Sequence, residues 1–452
     1  MSGPATLACF KAYDIRGRIP TELNRELVAT IARAYAAWLA PKSVAVGYDI
    51  RLSSPEFAAA VCAGLTDAGV NVVDIGLCGT EEVYFATFHL KLDGGVMVTA
   101  SHNPADYNGL KLVREQAKPV SADTGLHEIE KLTLAGEFPT AARKGTVERV
   151  DLRSAFVKHL LSSVDVGSLA PLKVVVNAGN GGAGGVIDRL EPSLPFRFVK
   201  VHHEPDGRFP NGIPNPLLAE RREDTARAVI ESKADVGIAW DGDFDRCFFF
   251  DEKGGFIEGY YIVGLLASQV LKKVKGAKIV HDPRLTWNTV QVVRELGGVP
   301  VQSKSGHAFM KDVMRREDAA YGGEMSAHHF FRDFAYCDSG MLPWLLVLEI
   351  MSHTGKSLSE LVGAHMRRFP TSGEINRKVG DAKAAIEKIR AHYGPSALAI
   401  DETDGVGMDF PLWRFNLRMS NTEPLIRLNV ESRGDQALLE QKTKELLALI
   451  ES

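Results

Sequence analysis

A strand–helix–strand segment, written three times at wide spacing, constrains this chain more than any other feature. In the first copy Ser43 to Tyr48 reads as a strand ending at Asp49. Ser53-Ser54-Pro55-Glu56 reads as a helix start, with capping hydroxyls and proline in the first turn. Gly69 closes that helix and Val70 to Ile75 is the next strand. The second copy runs from strand Lys173 to Val176 through a glycine-rich turn to a helix near Val186 to Leu190, then strand Phe196 to Val201. The third is strand Lys278 to His281, helix Thr286 to Leu296, Gly297-Gly298 and strand Val299 to Gln302. Three such units predict three α/β domains of similar build.

The last stretch breaks the pattern. Helix-forming Asp381 to Tyr393 is followed by Gly405 to Phe410, strand-like Trp413 to Arg418, strand Leu425 to Val430 and an amphipathic closing helix, Gln436 to Ile450. Strands run between two helices predict a smaller α+β domain. The expected domains are therefore 1–146, 147–250, 251–363 and 364–452. A chain of 452 residues, 45% apolar and 24% charged, has the material for that many buried cores.

The formal net charge of −4 weighs against nucleic-acid or membrane-surface binding, both of which favour basic faces. Cys9, Cys62, Cys78, Cys247 and Cys337 are scattered, odd in number and without paired spacing. That argues against a disulfide framework or zinc site and for a reducing compartment. Met1 to Phe10 lacks the basic and apolar regions of a secretory signal. Met341 to Met351 is apolar but too short to span a bilayer, and it contains Pro343 and Glu349. A cytoplasmic protein is expected.

Two polar stretches carry the chemistry. Thr99-Ala100-Ser101-His102-Asn103-Pro104 follows the apolar run Gly95 to Val98, so a serine sits at the carboxyl end of a buried strand. Its plain reading is a turn hydroxyl. Trp240-Asp241-Gly242-Asp243-Phe244-Asp245-Arg246 joins the apolar runs Val236 to Ala239 and Cys247 to Phe250. In extended backbone, carboxylates at alternate positions point to one side, where they repel unless a cation or proton intervenes. Either a hard divalent ion such as Mg²⁺ or a solvated acidic turn fits; an EF-hand lacks its twelfth-position glutamate and flanking helices.

Further clusters are Ser305-Gly306-His307, which closes the third unit, and Gly322-Gly323-Glu324-Met325-Ser326-Ala327-His328-His329. Glu324 and His328 also read as a helical metal pair. Arg418-Met419-Ser420-Asn421-Thr422-Glu423-Pro424 joins two strands and reads as a cradle for a phosphate dianion or as an ordinary Asn/Thr turn. Asn177 to Gly185 is glycine-rich but does not match G-x-G-x-x-G and has no well-placed acidic residue after it, so it reads as a packing turn.

Taken together, these stretches resemble the α-D-phosphohexomutases, in particular the bacterial phosphomannomutase/phosphoglucomutase group. The resemblance rests on Thr99 to Pro104, Asp241 to Arg246, Gly323-Glu324-Met325-Ser326 and Ser420-Asn421-Thr422-Glu423-Pro424, in the family's order and one per domain. It implies three similar mixed-sheet α/β domains and a smaller α+β domain around a central cleft. It implies that Ser101 carries a phosphoryl group, and that Asp241, Asp243 and Asp245, with a phosphate oxygen on Ser101, ligate Mg²⁺. Glu324 and Ser326 match sugar-hydroxyl ligands, and Arg418, Ser420, Asn421, Thr422 and Arg427 the distal phosphate site. Tyr13 and Arg16 resemble the N-terminal active-site segment. His102, Lys111, Arg246, Gly306, His307 and His328 fall where the family places further active-site groups. Arg284, in Asp282-Pro283-Arg284, stands where several relatives carry lysine; altered geometry and retained function are expected.

The implied reaction is reversible interconversion of hexose 1-phosphate and hexose 6-phosphate, for glucose and mannose alike. Phosphorylated Ser101 gives its group to the free hydroxyl, the 1,6-bisphosphate turns over, and its other phosphate returns to Ser101. Hexose 1,6-bisphosphate is thus both intermediate and activator. Phosphoryl transfer needs positioning and charge neutralisation, which Mg²⁺, Arg246 and Lys111 supply. Lys111 and His307 are candidates for the general base, with His102 adjacent. A Mg²⁺-dependent phosphohydrolase, a non-catalytic sugar-phosphate binder and a phosphoglucosamine mutase are the competing readings. A monomer acting on small sugar phosphates, without nucleic-acid or membrane partners, is expected.

Overall fold

The computed structural model describes residues 6–419 and 425–451. It divides into two compact units, one of residues up to 256 together with 333–355, the other of 257–332 together with 356 onward.

The first unit holds two sheets built by one rule. In the first sheet the order is Ile15–Arg18, Tyr107–Arg114, Gly94–Val98, Ser43–Tyr48, Asn71–Leu77, Val147–Arg149. Ser43–Tyr48 runs parallel to both neighbours, whereas Tyr107–Arg114 is antiparallel to Gly94–Val98. Parallel strands need helical crossovers, supplied by Ser54–Asp67 and Thr80–His89. Gly94–Val98 is buried throughout, as a strand covered on both faces must be. Val147–Arg149, assigned above to the second domain, pairs with Asn71–Leu77 and extends the first sheet. Ser53 does not cap the helix after it: its hydroxyl and that of Ser54 both accept from Asn108 Nδ2, and Ser54 Oγ donates to Asp49 Oδ1.

The second sheet repeats the plan, with Lys173–Asn177 parallel to Arg197–Val201 and to Val236–Trp240, and Cys247–Phe250 returning antiparallel. The apolar stretch too short for a bilayer is the helix Leu342–Thr354, buried from Leu342 to Met351. Its Trp344 meets Trp240, Phe196 and Phe198 edge-on, so the helix is apolar all round because it is core. Among the described residues no helix is long and apolar enough to cross a membrane.

In the second unit Lys278–His281 runs parallel to Val299–Gln302 and Tyr321–Gly323, and His329–Phe331 returns antiparallel. The last sheet is antiparallel throughout, ordered Thr371–Arg377, Ile426–Ser432, Trp413–Met419, Val406–Asp409, Ala399–Asp401. The strands Trp413–Met419 and Ile426–Ser432 alternate between two faces. Phe415, Leu417, Leu428 and Val430 face the helices Ala382–Tyr393 and Gln436–Glu451, with Ile389 and Leu446 in the same core. The opposite face carries Arg414, Asn416, Arg418, Asn429 and Glu431, all buried.

A buried polar face is stable only when its groups are paired. Glu431 Oε1 accepts from the amides of Thr286 (2.7 Å) and Trp287 (3.3 Å), the start of helix Trp287–Glu295, and from Arg414 Nη1 (3.0 Å). Tyr260 donates its hydroxyl to Glu431 Oε2. Arg414 also reaches the carbonyls of Pro283 and Arg284, both at 3.1 Å. One carboxylate thus meets a helix N-terminus and a guanidinium, both favourable to its charge. Glu431→Ala leaves Arg414 buried without this counter-charge, and a loss of about 3–5 kcal/mol is expected. The check is a lowered urea midpoint, with Glu431→Gln falling between Ala and the parent.

Candidate functional site

Ser101 follows the strand Gly94–Val98 in left-handed backbone, φ +48°. Such a conformation persists only if its surroundings fix it. Thr99 Oγ1 donates to Asp49 Oδ2 (2.7 Å) and accepts from the Ser101 amide (2.9 Å). Arg51, almost wholly buried, donates to the carbonyls of Ser101 (2.9 Å), Asn103 (2.6 Å), Pro104 (2.7 Å) and Tyr107 (3.0 Å). The Asn103 amide closes the turn onto Ala100 O. Arg51 is the pin of this loop, and its sequence context gave no signal beyond lying next to Asp49.

The acidic loop arrives between the antiparallel strands Val236–Trp240 and Cys247–Phe250. It is not extended, as expected above; the Phe244 amide turns back to Asp241 O (3.2 Å), and Phe244 has φ +46°. The turn brings the carboxylates together: oxygens of Asp241, Asp243 and Asp245 all lie within 4.8 Å of one another. At Gly242 a Cβ would stand 2.7 Å from Ser101 O, so only glycine allows the two loops this approach.

The loops meet through charge. Ser101 Oγ donates to Asp241 Oδ2 at 2.8 Å and lies 3.0 Å from His102 Nδ1. Lys111, on the strand Tyr107–Arg114, donates to Asp243 Oδ2 (2.7 Å) and Asp245 Oδ2 (2.6 Å). Thr80, first residue of helix Thr80–His89, donates its hydroxyl to Asp243 Oδ2 at 2.6 Å and its amide to Asp243 O at 3.2 Å. Arg246 Nε stands 3.5 Å from Asp241 Oδ2. Arg16 is held by Asp14 (2.7 Å) and by Asn103 Oδ1 (2.7 Å). Tyr13 precedes that pair and is half-buried.

These contacts set the protonation states. Burial, then the charges of Asp245 and Asp243, push Asp241 upward. Burial would raise Asp243 too, but Lys111, the Thr80 hydroxyl and Arg16 outweigh it and hold that carboxyl low. Burial would lower Lys111, yet Asp243 and Asp245 keep it above the ordinary lysine range. In this arrangement Lys111 is a cation paired with Asp243 and Asp245. Burial, then the charges of Arg246 and Arg16, push His102 well down, so its ring is neutral.

The donor set suits a hard divalent cation. Its ligands are carboxylate oxygens, and the buried Oδ1 atoms of Asp241 and Asp243 accept no hydrogen bond among the described residues.

In the second unit a separate cluster forms. Glu324 and Ser326 lie in the turn between Tyr321–Gly323 and His329–Phe331, closed by the Ala327 amide on Glu324 O (3.0 Å). This is not a helix, which removes the helical pairing of Glu324 with His328. Asp282 Oδ2 accepts from the Met325 amide (2.8 Å) and so ties the turn to Asp282-Pro283-Arg284. Arg284 Nη2 donates to Ser326 Oγ (3.1 Å) and Glu324 Oε1 (3.4 Å). Gly306, φ +124°, donates its amide to Glu324 Oε1 at 2.7 Å. Ser305-Gly306-His307 does not close the third unit; it opens the helix His307–Glu317. The rings of His307 and His328 stand 6.1 Å apart.

Arg418 and Arg427 are cross-strand partners that both contact Glu374, at 3.2 Å each. Ser420, Asn421 and Thr422 lie outside the described residues. Asp282, Glu374 and Thr80 were missed: Asp-Pro-Arg gave a weak signal for the first, and nothing near the others distinguishes them from surface residues.

Models of the four phosphoglucomutase/phosphomannomutase domains match in order: α/β/α domains I, II and III at residues 8–140, 154–255 and 258–369, and the C-terminal domain at 374–448. The chain is 60% identical over 453 residues to the phosphomannomutase of Salmonella montevideo, covering 99% of each. It is 62% identical to the phosphohexose mutases of Xanthomonas campestris pv. campestris strain B100, covering 98% of this chain and 99% of that one. A crystal structure of a phosphoglucomutase/phosphomannomutase family protein from Burkholderia thailandensis superposes with TM-score 0.89 at 32% identity, covering 98% of both chains.

Thr80 does not touch the buried Oδ1 atoms of the acidic loop; it positions Asp243 by a hydroxyl bond. Thr80→Val should weaken divalent-cation affinity by about tenfold or more, the usual effect of losing a group that orients a ligand. Calorimetric titration with Mg²⁺ checks it; unchanged affinity rejects it.

Proposed function

The chain belongs to the phosphoglucomutase/phosphomannomutase family, isomerases that interconvert hexose 1-phosphate and hexose 6-phosphate through a 1,6-bisphosphate, and from that premise we propose how its own side chains divide the work. Ser101 carries the phosphoryl group. The observation that supports this is the 2.8 Å hydrogen bond from Ser101 Oγ to Asp241, which sets the nucleophile beside the cation-binding carboxylates. A serine ester is a reversible carrier because it splits one difficult exchange into two matched steps.

Asp241, Asp243 and Asp245 are the residues that would hold Mg²⁺. When bound, that ion supplies neutralisation of the charge that spreads over a transferring phosphoryl group. Lys111 keeps Asp243 ionised and holds both Asp243 and Asp245 in place. Arg246 and Arg16 add positive potential at Ser101, and together with burial, the larger cause, they keep the adjacent His102 ring neutral. Arg51 and Asp49 orient the serine loop, so the left-handed backbone at Ser101 costs no reorganisation during reaction.

Glu324 and Ser326 bind sugar hydroxyls, positioned by Arg284, while Gly306, His307 and His328 add further sugar contacts. Arg418 and Arg427, with Ser420, Asn421 and Thr422, take the distal phosphate. That cradle must accept either phosphate of the bisphosphate in turn, so it recognises a dianion and not one end of a sugar. Hexose 1,6-bisphosphate primes Ser101 and is the intermediate. Glucose and mannose phosphates both serve, because Glu324 and Ser326 are assigned to hydroxyls away from C2, where the two hexoses differ. The enzyme works on these small substrates in the cytoplasm, a reading that rests on the cysteine pattern, and as a monomer, a reading that rests on the sequence's lack of an obvious coiled coil or long exposed apolar strip.

Intact mass of the purified protein tests the carrier. A phosphoryl adduct that maps to Ser101 and is lost on incubation with hexose phosphate is expected, together with loss of nearly all turnover in Ser101→Ala. Full turnover in Ser101→Ala, or release of inorganic phosphate in step with substrate loss, rejects the assignment. A large ratio of kcat/KM between glucose 1-phosphate and mannose 1-phosphate would sink dual specificity.

A further inference from the structure

Arg284 makes two kinds of contact with carboxylates. Asp282 holds it at two points, Nε to Oδ1 and Nη2 to Oδ2, both at 3.0 Å. Its third nitrogen, Nη1, stands 3.5 Å from Glu374 Oε2. Arg418 Nη2 is 3.2 Å from the same oxygen, and Arg427 Nη1 is 3.2 Å from Oε1. One carboxylate therefore occupies the point where three guanidiniums converge. Each of the three reaches it through a single nitrogen, at distances longer than the about 2.7–2.9 Å of a well-made charge-assisted bond. Arg418 is buried, its Nε makes no hydrogen bond among the described residues, and Asp404 Oδ2 stands 4.0 Å from that atom.

A monoanion with two oxygens underfills such a cradle, and a phosphate dianion has the charge and the extra oxygen to complete it. Glu374 also has room to leave. It pairs with Asn429 across the strands Thr371–Arg377 and Ile426–Ser432, so its backbone is fixed on the face that carries Arg427 and Arg418. Its side chain retains 19% exposure, so one side of the carboxylate already borders solvent.

We propose that Glu374 is a built-in competitor for the phosphate cradle: its carboxylate holds Arg284, Arg418 and Arg427 together until a substrate phosphate displaces it. This rests on the reading of Arg418 and Arg427 as phosphate ligands. The consequence is functional. Three guanidiniums without a shared counter-charge repel one another and bind a dianion too tightly to let it go. The mutase cycle requires release, because the same cradle must exchange one phosphate of the bisphosphate for the other. A carboxylate that competes lowers the apparent affinity by the fraction of time the arginines are free. It also keeps them gathered between turnovers. Burial would raise the Glu374 carboxyl, but Arg284, Arg427 and Arg418 outweigh it, so the competitor stays ionised.

Glu374→Gln in the full chain removes the charge and keeps the shape. Inorganic phosphate is the probe, titrated by thermal unfolding and as an inhibitor of turnover. Phosphate should bind about fivefold or more tightly to Glu374→Gln. KM for hexose 1-phosphate should fall, and kcat should fall with it as release slows. Glu374→Asp, whose shorter carboxylate withdraws without loss of charge, should tighten phosphate to a smaller extent. Unchanged or weakened phosphate binding in both variants overturns the proposal. Arg418→Ala separates this failure from failure of the reading beneath it. If Arg418→Ala weakens phosphate while neither Glu374 variant tightens it, only the competitor is rejected; if Arg418→Ala has no effect, the cradle assignment falls first.

Discussion

One ammonium group sets the geometry of the first unit. Lys111 comes from the first sheet, and Asp243 and Asp245 from a loop of the second; its Nζ bridges them at 2.7 and 2.6 Å, in a place closed to solvent. Three carboxylates with oxygens inside 4.8 Å cannot all stay ionised in a buried space unless positive charge is fixed beside them. Lys111 supplies part of it and Arg246 more. Thr80 and the start of its helix complete the shell around Asp243. The close approaches follow: Gly242 passes Ser101 O, and Gly79 faces the Phe244 ring where a Cβ would overlap it. Ser101 is therefore held by backbone fit and by charge together, the precision that a displacement at phosphorus needs if Ser101 is the carrier proposed above.

The same rule governs the last sheet, in another form. An antiparallel sheet with one apolar face ordinarily turns its polar face to water. Here Arg414, Asn416, Asn429 and Glu431 are buried: Arg414 and Glu431 meet the loop after Lys278–His281, Asn429 meets Met325, and Asn416 donates to Asp404 O. A polar interface of this kind specifies position strongly, because any slip strands a charge. It gains less from burial of apolar area than an oily one would, and so its stability resides in a few directional bonds at Glu431.

Much of this was legible in the chain itself. The tripled strand–helix–strand units were readable because buried parallel strands leave unbroken apolar runs, as from Val44 to Val46 and from Val174 to Val176. The alternation of Trp413–Met419 marked a two-faced strand, although not that its polar side would be buried. Ser101 and the three aspartates announced themselves by residue type and position at strand ends. What stayed hidden depends on partners far apart in sequence. Thr80 is one more helix-start hydroxyl until Asp243 arrives, 163 positions later. Arg51 is a loop arginine until four carbonyls gather on it. Periodicity also misled where a left-handed residue, Phe244, replaced the expected pleat by a turn, and where Ser53 gave its hydroxyl to Asn108 instead of to its own helix.

Arg284 draws these lines together, since it stands where the family resemblance leads one to expect lysine. An ammonium is a point charge on a flexible stem, with three donors diverging from one atom. It could meet Asp282 or Glu324 or Glu374, but not hold the first at two points while reaching the others. The guanidinium does so: one edge is committed to Asp282, Nη2 reaches Ser326 and Glu324, and Nη1 is left for Glu374. The planar fork thereby joins the turn of Glu324 and Ser326 to Glu374, and through it to Arg418 and Arg427, within one unit, through a single rigid group. Substitution of arginine for lysine is thus no neutral exchange of one cation for another. On the assignment proposed for these residues, it couples recognition of the two ends of a sugar phosphate, with Glu324 and Glu374 held at longer distances than Asp282.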